Sequence, residues 1–444
     1  MLEAEVSRPV SKRTRVPLGT LAVSVVVAAA PGLGYAGGFH NQERSVRGLG
    51  RAYSGEAADT GAPSLAWNPA AIARSGGEVY VDAHGRFYSN TLTDRGSNVT
   101  RPIPPNGLTT PVGGPSVAED PTDDDTPLNG VVVLPVNDRF AIGLSAGSPY
   151  LLRTDFDPAF WGRYDTVNAK VETVELQGTM AMSVNRWLDG GFGVSAQYTE
   201  ALLASAMPNL SPLLPDGRSQ VTGDGWNYGW TVGAQGHFDR GSVGASFRSS
   251  IQNDLEGELA VSGLLGPLAA GNVRTESHAS FGTPWIASLS GRWRATPQLT
   301  LNAQVQRFGW SEYDTIHIHF QGGQENIKQN FSDTTAVSVG ADYEVSPVLT
   351  LRGGVQVDET PTPDDLREPG IPDSDRTLYA VGASLKLRPS ITLDAALGYM
   401  AFQGARIFED SVFYGGTGAD TVTRVRGDIE TEATVVSAGL RWKF

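Results

Sequence analysis

Residues 435–444, VVSAGLRWKF, end the chain and decide how the rest is read. Val436, Ala438, Leu440, Trp442 and Phe444 alternate with Ser437, Gly439, Arg441 and Lys443. Successive side chains of a β-strand face opposite ways, so this segment has one apolar and one polar face. The same period of two runs upstream through residues 299–306, 337–345, 349–358 and 391–399. A soluble sandwich also alternates, with its apolar face turned to a core. Here the strands run about ten residues and the polar face carries charges such as Asp342, Arg352 and Asp394. Strands of that length, apolar outside and polar inside, are those of a transmembrane barrel.

The composition agrees. The 444 residues include 53 Gly and no Cys, which excludes a disulfide framework and a thiolate metal site and argues against a helical bundle. The formal charge of −14 argues against a nucleic-acid partner. At the N-terminus, Lys12, Arg13 and Arg15 precede a short apolar run, residues 18–30, and Gly34-Tyr35-Ala36 offers small residues for a signal peptidase. The run is too short for a bilayer span of about 20 residues, so residues 1–36 are expected to be a cleaved secretory signal. Its removal takes four basic and two acidic residues and leaves a charge of −16.

Short turns are expected at 135–138, 185–191, 239–241, 295–298, 346–347 and 388–390. Longer connections are expected near 91–127, 149–169, 200–225, 253–280, 311–332, 358–377 and 403–427. Six inner turns and seven outer loops, with both chain ends on the inner side, require 14 antiparallel strands over residues 77–444. Residues 37–76 do not alternate. They are Gly-rich, yet Phe39, Leu49, Tyr53, Leu65, Trp67 and Ile72 are too many large apolar groups for a disordered tail. The lumen of the barrel is the available place to bury them, as a plug.

The ending in Phe with aromatics at alternate positions resembles the terminal signature of bacterial outer-membrane proteins. The segment GLGRAYSGEAADTG (48–61), followed by Trp67-Asn68-Pro69-Ala70, resembles the hatch of the FadL/TodX outer-membrane transporters. The likeness continues through 134–156, WGRY (161–164), GDGWNYGW (223–230) and 358–376, and so covers nearly the whole mature chain. It implies an all-β fold, a 14-stranded barrel plugged by an N-terminal hatch, in the outer membrane of a Gram-negative bacterium. It also implies passive uptake of long-chain fatty acids or similar hydrophobic molecules. Monoaromatic or aliphatic hydrocarbons are the alternative cargo, and a structural or adhesive barrel the alternative outside transport. The expected partners are the hydrophobic ligand, outer-membrane lipid and lipopolysaccharide, and the barrel-assembly machinery during biogenesis; the barrel is expected to be a monomer without cofactor or metal.

Several residues are candidates for these steps. Leu202, Leu203, Met207 and Leu210 in one outer loop, and Leu259, Leu264 and Leu265 in another, are unusually apolar for loops and point to a hydrophobic landing groove. The alternative is that the two loops pack on each other to cap the barrel. Gly147-Ser148-Pro149-Tyr150 interrupts the third strand, and Pro149 cannot donate a ladder hydrogen bond. Read from the residues alone, Pro149 either ends the strand at the rim or kinks it; the resemblance implies a kink that opens a sideways exit. The resemblance also brings Phe39 to a deep pocket and Asn68, Pro69 and Ala70 to the hatch. In fatty-acid-transporting members basic residues meet the carboxylate. Here one such Arg position falls near Ser205, and another basic position near Ile327 or Lys328. The missing Arg removes a charge-assisted bond worth about 1.5–3 kcal/mol and leaves Arg153, Arg248 and Lys328 as candidate carboxylate partners. Gly143 to Gly147 match G-x-S-x-G, but Ser145 lies in an alternating strand with no helix after it, so no catalytic residue is expected. His317 and His319 read as lumen or loop-base residues, and Asp123 to Asp125 as a solvated acidic loop.

Overall fold

In a computed structural model of the chain, residues 38–444 are described; the expected signal, residues 1–36, lies outside them. Fourteen antiparallel strands close a barrel. They are β1 (Glu78–Asp94), β2 (Leu128–Pro135), β3 (Phe140–Gly147), β4 (Asn168–Asn185), β5 (Leu188–Met207) and β6 (Gly217–Phe238). Next come β7 (Gly241–Arg248, resuming as Ile251–Ser262) and β8 (Val273–Thr283 and Trp285–Arg294). The last six are β9 (Leu299–Gly309), β10 (Thr334–Ser346), β11 (Leu349–Asp358), β12 (Arg376–Arg388), β13 (Ile391–Phe402) and β14 (Thr421–Lys443). The ring shuts where Glu78 of β1 faces Lys443 of β14, and the register holds without a slip to Asp94 opposite Gly427. Closure leaves no open edge, which in hydrocarbon would strand backbone polar groups.

The burial pattern is the reverse of a soluble protein's. Along β4, Val174, Leu176 and Met180 are 51–56% exposed, while Thr173, Glu175, Gln177 and Thr179 between them are 6% exposed or less. On β14, Val436, Leu440 and Trp442 face out and Ser437 faces in, and Phe444 just past it is exposed. All six short turns fall where the sequence places them, between successive strands from β2–β3 to β12–β13.

The seven long connections hold more strand than expected, some of it in short loop hairpins such as Thr315–Phe320 with Gly323–Lys328. Strands β5 and β6 run well past the membrane-length segment, so residues 200–207 and 217–225, expected as loop, are ladder. Leu202 pairs with Thr222 and Leu203 with Val221. Likewise much of 253–280 is strand, and the loop proper is residues 263–272. The physical reason is a change of lining. Low in the barrel the inward residues of β7 and β8 are polar, as Asn253 and Thr283; higher up they are Leu255, Leu259 and Ala279. Period two persists, but apolar groups now occupy the inward face as well.

Residues 38–76 fill the lumen as a hatch. It holds one helical turn, α1 (Val46–Leu49), capped by Ser45, and three 3-10 turns. Phe39, Leu49, Tyr53, Leu65, Trp67 and Ile72 are all buried. Because the lumen wall is polar, charges anchor the hatch. Arg51, fully buried, meets Glu56 and Asp59 within the hatch and Asp342 on β10; Arg292 on β8 reaches both Asp59 and Asp342.

Candidate functional site

The ladder between β2 and β3 stops at Gly130 opposite Ala146. Beyond Gly147 the chain leaves the wall for three residues and rejoins it at Leu151, which pairs with Glu172 of β4 as the strand Leu151–Asp155. Pro149 has no N–H to offer a neighbour. The backbone groups freed here are taken by the hatch instead. Asn41 donates its backbone N–H to the Pro149 carbonyl (2.8 Å) and its side-chain amide to the Ser148 carbonyl (2.7 Å). Leu151 donates to the Phe39 carbonyl (3.1 Å), and His40 bridges Tyr150. Tyr150 is held on the other side by Thr173, whose hydroxyl both accepts from its N–H and donates to its carbonyl. Gly147, Ser148, Pro149 and Tyr150 are therefore together, as a break in the third strand rather than its rim end.

On the β2 side this break leaves a cavity of about 550 Å³, lined among others by Leu128, Gly130, Gly147, Ser148, Leu151 and Val174. Leu128 and Val174 belong to the apolar outer face, so the cavity reaches that face. Its upper edge is the loop of Asp123 to Asp125. These three carboxylates are not merely solvated: Asp125 makes a paired contact with Arg86 of β1 (2.6 and 2.5 Å), Asp124 accepts from the Tyr88 N–H, and Asp123 lies 3.6 Å from Arg153.

Phe39 sits behind the break in an aromatic cage. Its ring meets Trp310 at 5.0 Å, Tyr313 at 5.3 Å and Tyr150 at 5.9 Å between centroids, all edge-on. Such pairs contribute about 0.5–1.5 kcal/mol each beyond their buried area. Asn68, Pro69 and Ala70 are elsewhere. Asn68 caps the turn Pro69–Ile72 and donates its amide to the carbonyls of Ala57 (2.7 Å) and Ala234 (3.1 Å), pinning the hatch to β6. The hatch residues thus divide, with Phe39 packed in the cage behind the break and Asn68 to Ala70 at the wall. Between hatch and wall a small pocket of about 30 Å³ lies against Trp67, Arg248 and Gln306.

A second large cavity, about 540 Å³, lies among the outer loops, lined in part by Val171, Leu203, Ser205, Ile318 and Lys328. It continues into a narrow apolar slot lined by Leu202, Leu203, Leu255 and Phe281. Of the seven candidate groove residues, Leu203 therefore faces this space, Leu202 only borders the slot, and Leu259 is buried in the same hydrophobic cluster. Met207 ends β5, opposite Gly217, and Leu210 lies half-buried just beyond. Leu264 is buried and Leu265 exposed on the neighbouring loop, which is tied to Asn209 by the Leu265 N–H (2.9 Å).

The candidate carboxylate partners have different surroundings. Arg248 is bound to Glu175, a buried carboxylate that also receives Arg44. Arg153, half-exposed, pairs with Glu172 at 2.8 Å. Lys328 lines the outer cavity and makes no ion pair among the described residues. The positions of Ser205 and Lys328 share that one cavity. His317 and His319 project outward from the strand Thr315–Phe320, whose Ile316 and Ile318 are the buried residues, and Ser145 faces the lumen.

The aromatic cage and the cavity's acids were not among the candidates. Trp310, Tyr313 and Phe331 lie in or beside a long loop, where FGWSEY (308–313) is a dense aromatic run that could have marked them. Asp165, Glu368 and Glu409 come from three separate loops, and no spacing in the sequence links them.

A closed barrel, apolar outside, plugged by its own N-terminal segment and broken at one strand, defines an outer-membrane transport barrel. The chain belongs to the family described as outer membrane protein transport protein (OMPP1/FadL/TodX), whose model matches residues 26–444. It is 27% identical to outer membrane protein P1 of Haemophilus influenzae over 87% of this chain and 90% of that one. It is 25% identical to the long-chain fatty acid transport protein of Escherichia coli K12 over 87% and 93%. Among solved structures, a Pseudomonas aeruginosa FadL homologue superposes with a TM-score of 0.79 at 24% identity, covering 92% of this chain and all of that one. The Pseudomonas putida toluene transporter TodX superposes with a TM-score of 0.63 at 13% identity over 92% and 99%. The family places the protein in the outer membrane of a Gram-negative bacterium and is a family of transporters of hydrophobic compounds.

Proposed function

We propose that the protein takes up long-chain fatty acids or similar hydrophobic molecules passively. The ligand is captured in the leucine-lined outer space, passes to the aromatic cage around Phe39, and leaves sideways through the break in β3. The observation that carries this reading is the pairing of hatch residues 39–41 with Ser148 to Leu151: the segment that closes the wall is the one that touches the inner cage. An apolar ligand gains nothing from a water-filled pore, since water is the phase it avoids. A chain of apolar surfaces ending at the lipid face avoids that phase throughout, and each methylene kept dry is worth about 0.8 kcal/mol.

A second reading, uptake of neutral hydrocarbons, is favoured by Ser205 standing where a carboxylate-binding Arg would help, in a cavity whose cation is Lys328. Uptake of labelled oleate, toluene and hexadecane by cells that lack their own transporter separates the two. The route itself is tested by a disulfide between Asn41→Cys and Ser148→Cys, in a chain with no other cysteine. Uptake should stop when the bond is oxidised and return on reduction. Undiminished uptake with complete cross-linking would sink the lateral route.

A further inference from the structure

The outer cavity gathers three carboxyl groups from three loops: Asp165, Glu368, and Glu409 on the loop strand Ala405–Phe413. Burial, with repulsion from Asp165 and Glu409 added to it, pushes Glu368 up to about 8. Burial and Asp165 push Glu409 up to about 7, and burial pushes Asp165 up to about 6. The other charged groups facing them do not cancel this. Glu325 on the hairpin of Lys328 is raised by burial too, and Lys328 is exposed. Arg426 draws Glu409 down somewhat, but its guanidinium binds the Asp410 carboxylate (2.5 Å) and the Glu409 carbonyl rather than the Glu409 side chain. Gln329 reaches Glu368 at only 3.4 Å, and the Thr166 hydroxyl donates to Asp165 at 2.9 Å.

Tyr313 supplies the second observation. It lines the cavity and is 4% exposed, yet among the described residues its hydroxyl has no hydrogen-bond partner. The ring is buried but the hydroxyl oxygen is not sealed off, so it is open to the space that Tyr313 lines. Tyr164, by contrast, is spent on Asp216 at 2.8 Å. Val171, Leu203, Val221, Ile316 and Ile318 line both the cavity and the apolar slot beyond it, so a tail laid on them would place a polar head beside Tyr313 and Glu368.

We propose that this cavity is a head-group site which accepts amphiphiles with an uncharged, hydrogen-bonding head, an alcohol or a carboxylic acid in its protonated form, and turns away the carboxylate. Glu368 and its neighbours, carrying protons, can donate to the head's oxygen, and the Tyr313 hydroxyl can donate or accept. An ionised head would bring another negative charge into a group of carboxyls that already repel one another. This rests on the transport reading and adds which form of a ligand enters.

The test is equilibrium dialysis of the full barrel in maltoside, with empty micelles as blank, against labelled decanol, decanoate and decylamine between pH 5.5 and 8.5. Decanol should bind with constant affinity up to pH 7. Decanoate should weaken about tenfold per pH unit, because each molecule must carry a proton in. Glu368→Gln should strengthen decanoate at pH 8 several-fold, and Tyr313→Phe should weaken decanol without changing the decanoate slope. Decanoate bound more tightly than decanol at pH 8 and lost in Lys328→Met would mean a cationic clamp and overturn the proposal. Decylamine bound most tightly, gaining as pH rises, would mean a cation site and overturn it equally, as would no binding of any probe. Uptake of oleate or hydrocarbon by cells reads the transport reading separately: uptake without this head-group pattern removes only the present proposal.

Discussion

The Asn41 N–H and the Pro149 carbonyl, 108 residues apart in sequence, are hydrogen-bonded at 2.8 Å, and the Asn41 amide adds a second bond to Ser148. The hatch therefore supplies the ladder partner that β2 withholds from the third strand. A latch built from a few hydrogen bonds is worth little beside the barrel's ladder, so it can open without unfolding the wall.

Asn41→Ala should loosen the latch selectively. It removes the amide bond to Ser148 and the acceptor that the Asn41 side chain offers the Glu43 N–H (3.1 Å). The local cost is about 1–3 kcal/mol. Amide hydrogen exchange at residues 148–151 should speed by roughly ten- to a hundredfold, with exchange in β9 to β13 unchanged. Equal acceleration throughout the barrel would mean that Asn41 is a global support and no latch.

Gly191→Val should displace the hatch and spare the barrel. A Cβ at Gly191 would fall inside contact distance of the Pro69 and Ala70 backbone, which has no rotamer to yield. Overpacking of this kind costs about 1–3 kcal/mol. The variant should keep its heat-modifiable gel mobility, the sign of a closed barrel, while its conductance in planar bilayers rises. Unchanged conductance would show that the hatch can shift aside at Asn68 to Ala70 and still seal.

Arg51→Met should free the hatch more thoroughly. Glu56, Asp59 and Asp342 would lose their common buried cation, and breaking a buried pair costs about 3–5 kcal/mol. Burial alone would raise Asp59, but Arg292, Arg47 and Arg51 together hold its carboxyl well below the usual range. A depressed carboxyl contributes stability that is present above its unfolded value near 3.9 and is lost only as pH falls through the folded one. The wild-type hatch should thus resist protease equally at pH 8 and pH 5. The variant should be cut within residues 44–60 at both, and Arg51→Met/Glu56→Gln should recover part of the protection.

The barrel was legible because its inner turns are short and punctuated. Pro135 to Asp138 and Asp239 to Gly241 mark places where the chain must reverse, and between them one face meets lipid throughout. Phe39, Tyr53 and Trp67 likewise announce a buried hatch in a Gly-rich segment, since apolar bulk must be covered. Leu202 and Leu203 read as loop because above the hatch the inward face turns apolar as well, and the contrast between an apolar and a polar face is lost. The acids of the outer cavity were hidden for a different reason. Asp165, Glu368 and Glu409 are each ordinary loop residues, and only the folding of three loops over one space makes them neighbours.

Those acids give the outer loops a pH dependence opposite to that of the hatch. With Glu368 pushed up to about 8 and Glu409 up to about 7, the folded loops bind more protons than the unfolded chain above about pH 4.5. The stability they contribute is complete in acid and drains away as pH rises through 7 and 8. Hydrogen exchange in residues 359–375, corrected for the intrinsic rise with pH, should therefore quicken between pH 6 and pH 9. Glu368→Gln should flatten that rise, since the amide cannot ionise, while leaving the hatch as resistant to protease as before. A rise that persists in Glu368→Gln at full size would assign the pH response to another group and leave the carboxyl cluster without a role in loop packing.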